Sequence, residues 1–167
     1  MSARENTLRA MPDVAQDASA DLAGRLDWVG MEEIQAPVLL AQSDGETQRF
    51  SARVAAFVNL KQPDARGIHM SRLYLHLDRH LSAEALTPCS LRRLLRDFLD
   101  SHSELSDRAQ VRIRFDHLVR RPALASDHSG WRSYPVEISA RMDGSEFTAE
   151  LGVEVQYSST CPASAAL

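Results

Sequence analysis

Four groups of side chains in this sequence could do chemistry. Cys161 sits in the run Tyr157-Ser158-Ser159-Thr160-Cys161-Pro162, a polar turn after a strand that should keep its thiol at the surface. A thiolate is both a soft metal ligand and a nucleophile, although one cysteine is not a site. Upstream, GIHMSRLY (Gly67 to Tyr74) packs Gly67, His69, Ser71 and Arg72 at a junction leading into a helix. The free N–H groups and positive dipole end of such a junction favour an anion; the alternative makes Ser71 a cap and buries Met70 and Leu73. On the same helix His76 and His80 have the i, i+4 spacing that lets two imidazoles meet one metal ion. A zinc-protease helix needs glutamate where Leu77 stands, so the pair reads as a solvated face with Asp78 and Arg79 between. Finally, Leu118 to Trp131 gathers Arg120, Arg121, Asp127, His128 and Trp131 in what reads as a long loop, either functional or merely solvated.

These groups need elements to hold them. Met1 to Arg25, rich in Ala, Asp, Ser and Gln without a sustained period, reads as a mobile arm. Glu33 to Gln42 and Gln48 to Leu60 read as strands joined by a turn at Asp44-Gly45, the second apolar on both faces and therefore internal to a sheet. Two helices follow. Met70, Leu73, Leu77 and Leu81 mark the first, and Leu91, Leu94, Leu95, Phe98 and Leu99 fit the i, i+3, i+4, i+7, i+8 pattern in the second. Thr87-Pro88 supplies a cap followed by a first-turn proline, and Arg92, Arg93 and Arg96 fall on the wet side.

The chain then returns to strand. Val111, Ile113 and Phe115 alternate with Arg112, Arg114 and Asp116, giving one core face and one charged, wet face. Ser133 to Tyr157 reads as a hairpin turning at Asp143-Gly144, with Pro135 near a strand start. The order strand, strand, helix, helix, strand, strand, strand lacks βαβ alternation. It predicts an α+β fold, an antiparallel sheet with a pair of helices on one face.

Composition narrows the functional classes. The 167 residues are 44% hydrophobic and 25% charged, enough for one core or two small ones. A net charge of −4 offers no global attraction to nucleic acid or to an anionic membrane, and no stretch is long and apolar enough to span one. Lys61 is the only lysine among 19 basic residues, which limits Schiff-base or phosphate-loop chemistry to that position. The arginine excess is either a compositional bias or a set of planar ligands for phosphate and carboxylate. Two cysteines and no signal peptide point to a reducing, cytoplasmic setting.

Four segments, LDWVGMEEIQAPVLL, VNLKQPDARGIHMSRLY, VRRPALASDHSGWRSYPV and ELGVEVQYSSTCPASAAL, occur in this order and closely resemble the prokaryotic GTP cyclohydrolase type IB family. The likeness runs from about Leu26 to Leu167. It implies a tunnelling fold, in which antiparallel sheets with outer helices join between subunits into a barrel, so a homo-oligomer is expected. It also implies a hydrolase that opens the imidazole ring of GTP, releases formate and yields 7,8-dihydroneopterin triphosphate for folate and related pterins. A divalent metal (zinc, manganese or iron) would activate the attacking water.

By the same resemblance Cys161 is the metal ligand and catalytic cysteine; His69 and Arg72, by their type and position near a helix start, are the expected contacts to the triphosphate or to a neighbouring subunit's pocket. The family motif normally reads Cys-Pro-Cys-Ser, whereas Ala163 stands in place of the second cysteine. Family members are longer, so residues 26–167 are read as the first module plus the start of a second, truncated after Leu167, with the remaining metal ligands beyond it. Two alternatives stay open: an inactive remnant that only folds or pairs with intact subunits, and a GTP-binding module without turnover.

Overall fold

A computed structural model describes residues 24–161. Most of the proposed arm, together with Pro162 and Ala163, lies outside the described residues. Five strands, β1 (Leu26–Ala41), β2 (Thr47–Leu60), β3 (Arg108–Pro122), β4 (Ser129–Asp143) and β5 (Glu146–Val153), form one antiparallel sheet in sequence order. Two helices, α1 (Met70–Ala83) and α2 (Pro88–Ser101), are inserted between β2 and β3. The expected class and element order are those observed. β2 is internal, between β1 and β3.

Alternation along the strands decides which face the helices cover. Val54, Ala56 and Val58 of β2 and Val111 and Ile113 of β3 share a core with Leu73, Leu77 and Leu81 of α1 and Leu91, Leu94, Leu95 and Phe98 of α2. Full burial of one such aliphatic side chain contributes about 1.5–3 kcal/mol before entropy is counted. The opposite face keeps the arginines. α2 starts as the sequence predicts: Ser90 N donates to Thr87 Oγ1 at 3.0 Å, Thr87 N donates to Ser90 Oγ at 2.8 Å, and Pro88 needs no partner in the first turn.

Both hairpin turns sit where expected, with Gly45 at φ 87° and Gly144 at φ 56°, conformations that glycine adopts without a Cβ clash. Several boundaries differ. β1 begins at Leu26 rather than Glu33, and it stays paired with β2 through two bulges. Met31 lies opposite Ala56 and Ile34 opposite Val54, so one extra residue is accommodated there, and the same occurs between Leu26 and Val29. The segment read as a long loop is largely a β3–β4 hairpin: Arg120 pairs with Trp131 and Arg121 with Gly130. Turn-forming residues are confined to its tip, Ala123 to His128, where Ala123 N donates to His128 O at 2.8 Å.

Pro135 lies inside β4 rather than near its start. Its carbonyl accepts from Glu154 N at 2.9 Å, so its missing N–H faces the side on which β5 has just ended at Val153. No ladder bond toward β3 is lost. β5 is shorter than predicted, stopping before Val155, because β4 offers no further N–H at Pro135 to extend the ladder.

Candidate functional site

The helix junction is built by two complementary helix ends. His69 occupies the N-cap of α1 without a side-chain capping bond, and Ser71, one reading of which was the cap, lies in the first turn. Arg72 Nη1 donates to the Ser101 carbonyl at 2.7 Å, placing a cation on the negative end of α2. His102, almost fully buried, has Nδ1 at 2.9 Å from Phe98 O and Nε2 at 3.3 Å from His69 O. Burial pushes its pKa down, against the upward pull of those two carbonyls. The start of α1 is thus stitched to the end of α2. Met70 is exposed and only Leu73 of the pair is buried.

His76 and His80 do not form a solvated face. They point between the helices, where His80 Nε2 is 2.6 Å from Asp97 Oδ2 and His76 Nδ1 is 3.8 Å from the same oxygen. The reason is angular: α2 packs against the α1 face carrying Leu73, Leu77 and Leu81, and His76 and His80 flank that stripe. Burial lowers the pKa of His76, and neither of its ring nitrogens has a hydrogen-bond partner. The His80 hydrogen bond holds the Asp97 carboxyl below the usual carboxylate range.

Cys161 is exposed, as its turn context predicts, and stands beyond the end of β5. β3 starts beside the helix junction with Arg108 opposite Asp143, and β5 starts there too, with Glu146 opposite Asp143. β5 then runs to Val153, opposite Val136 in the middle of β4. His69 and Arg72 stand together at the start of α1, while Cys161 follows the end of β5. Among the described residues no three His, Cys, Asp or Glu side chains are grouped to hold a metal ion, so a lone exposed thiolate does not make a metal site here.

The wet face carries residues that pattern reading missed. The two β1 bulges aim Trp28 and Glu33 across it. Arg108 and Arg141 lie 5.6 and 5.2 Å from the Trp28 ring centroid, one on β3 and one on β4. Glu33, at φ 54°, sends one carboxylate oxygen to Arg114 Nη2 at 2.6 Å and the other to Arg53 Nη1 at 3.4 Å. Beside them opens a cleft of about 740 Å³ lined by Gln35, Arg53, Arg114, Asp116 and Glu137 among others. The available signal was Gly30 within a strand-like run. A Cβ there would stand 2.0 Å from Ala56 O, and a strand glycine often marks a bulge or close backbone approach.

A family model described as type I GTP cyclohydrolase folE2 matches residues 11–167. The chain belongs to that family. Among curated family members, the GTP cyclohydrolase FolE2 of Hydrogenovibrio crunogenus is 46% identical over 157 residues, 94% of this chain and 50% of the relative. Those of Pseudoalteromonas translucida and Pseudomonas putida are 45% and 49% identical over the same share of this chain, covering 52% and 50% of their own lengths. The chain spans about half the length of the curated relatives it matches. Family membership is consistent with a metal requirement. No helix among the described residues is long and apolar enough to cross a membrane.

Proposed function

We propose that the protein to which this chain contributes hydrolyses GTP to 7,8-dihydroneopterin triphosphate and formate in a metal-dependent reaction, at the start of folate and pterin synthesis in the cytoplasm. One observation carries the reading: the family match is continuous over residues 11–167, with FolE2 relatives at 45% identity or more. In this reading Cys161 is one ligand of a divalent zinc, manganese or iron ion, and its exposure beyond β5 leaves the thiolate open to partners contributed by another part of the full-length protein. His69 and Arg72 are the proposed substrate-side groups at the helix junction. Arg72 acts there through its charge, since its Nη1 is committed to Ser101.

A homo-oligomer is part of the same proposal. Leu151 and Val153, 70% and 51% exposed, lie on the sheet face that the helices cover elsewhere, and a neighbouring module or subunit would cover them. Residues 1–167 alone, with one candidate ligand, should release no formate from GTP. The test compares full-length protein with a Cys161→Ala variant, reading formate release and bound metal by elemental analysis. Loss of both, with an unchanged melting curve, supports the reading; retained turnover with retained metal would falsify the Cys161 assignment.

A further inference from the structure

Arg53 and Arg114 are Cα partners on adjacent strands, so their side chains leave the same face of the sheet side by side. Two like charges placed directly opposite in a ladder repel and are tolerated when an anion lies between them. Here that anion is a single carboxylate. Glu33 gives one oxygen to each guanidinium, the bridging mode by which two oxygens of a phosphate engage a pair of arginines. To reach them Glu33 adopts a left-handed backbone conformation, φ 54°, unusual for a residue with a Cβ, at the bulge between Met31 and Ile34. Strain of this kind persists where the surroundings hold it in place.

The contact is nonetheless displaceable. The side chains of Glu33, Arg53 and Arg114 are 54%, 70% and 48% exposed, and both arginines line the cleft of about 740 Å³. We infer that Arg53 and Arg114 form a binding site for a phosphate oxyanion, and that Glu33 is its built-in occupant, swung aside when the ligand enters. Asp116, Glu137 and Glu154 line the same cleft, and Arg112 Nε lies 4.0 Å from Glu137 Oε1. Those carboxylates repel an anion from the rest of the cleft, so its binding rests on the two guanidiniums alone. The inference extends the GTP reading by giving the wet face an oxyanion ligand of the kind a nucleoside triphosphate carries. Its test is independent of turnover because the probe is inorganic.

The experiment titrates inorganic triphosphate into the 167-residue chain by calorimetry, in low salt and without phosphate buffer, with a melting curve for each variant. Removing the competing charge in Glu33→Gln should tighten binding about tenfold, the value of one charge-assisted hydrogen-bonded contact. Arg53→Ala and Arg114→Ala should each weaken it at least as much. Should Glu33→Gln unfold, Glu33→Gly removes the carboxylate and relieves the positive φ, and must give the same tightening. Affinity unchanged by loss of Glu33, or undiminished by loss of either arginine, overturns the proposal. Triphosphate binding without GTP turnover in the full-length protein would instead count against the proposed activity alone.

Discussion

At His76 two ring nitrogens are buried without a hydrogen-bond partner, and part of the acid behaviour of the fold follows from that. In the unfolded chain the imidazole titrates near 6.5, while burial lowers its pKa in the folded chain. The unfolded state therefore takes up the proton first, so stability is complete above about pH 6.5 and falls as pH drops toward the depressed folded value. His102 shifts in the same direction and for the same principal reason. Asp97, whose carboxyl is held low by His80, adds stability that is present above the unfolded value of 3.8 and lost as pH falls through its lower folded value. The melting temperature should decline in two stages on acidification. His76→Leu removes the unpaired nitrogens, so it should gain about 1 kcal/mol at neutral pH and decline less between about pH 7 and about pH 5. Thermal melts across that range check it, and parallel slopes for the two proteins would exclude His76 as the cause.

At the scale of elements, most of the fold was legible because its signals are periodic. Leu91, Leu94, Leu95 and Phe98 announce α2, and alternation from Val111 to Phe115 announces β3, since each pattern reports the face that must be dry. What escaped was two-body information. The sequence around Leu118 to Trp131 is polar, but it extends two strands because they pair with each other, which local composition does not report. His76 and His80 look solvated beside Asp78 and Arg79 until α2 is laid against them. Glu33 and Arg53 belong to different strands, and only a bulge brings them together. The placement of Cys161 at the surface was legible from its polar turn.

Gly30 belongs to the same scale. With Ala56 O 2.0 Å and Phe57 Cα 2.8 Å from a built Cβ, the obstacle is backbone, which cannot rotate away. Gly30→Ala should part β1 from β2 near the two bulges at a cost of about 3 kcal/mol or more, at the upper end of overpacking effects. Urea denaturation would show it as a lower midpoint with an unchanged slope. A cost below about 1 kcal/mol would mean that β1 can shift as a unit, in which case the Glu33 and Trp28 contacts should change with it.

For the molecule as a whole, the coverage of the sheet is lopsided. α2 reaches β5 at Phe147, over which Arg92 lies at 4.8 Å, while Leu151, Val153, Val155 and Tyr157 are exposed. β5 pairs only with β4 among the described residues, so an apolar surface and an open ladder coincide on one strand. β1 is treated differently: Leu86 N donates to Leu39 O at 2.7 Å, closing part of its outer edge. An uncovered apolar edge associates. The 167-residue chain should sediment as concentration-dependent assemblies, and Leu151→Lys with Val153→Lys should return it to a monomer with little loss of stability, because both positions are already wet. Sedimentation velocity over a range of concentrations tests this, and identical distributions for both proteins would rule the surface out.

Asn59 closes the insertion on which everything else depends. Its Oδ1 accepts from Asp107 N at 3.0 Å and Arg108 N at 2.8 Å, its Nδ2 donates to Asp107 Oδ1 at 2.7 Å, and Ser106 Oγ donates to its carbonyl at 2.5 Å. These bonds join positions 47 to 49 residues apart, so the intervening chain must be drawn into a ring before any of them can form. Such closure costs about 3 kcal/mol of chain entropy beyond its length-independent part. The helices are local and form quickly, whereas the β2–β3 seam must wait for that ring. Topology therefore predicts an order in time, with the helix pair assembling first and the Asn59 clasp then admitting β3 to the sheet.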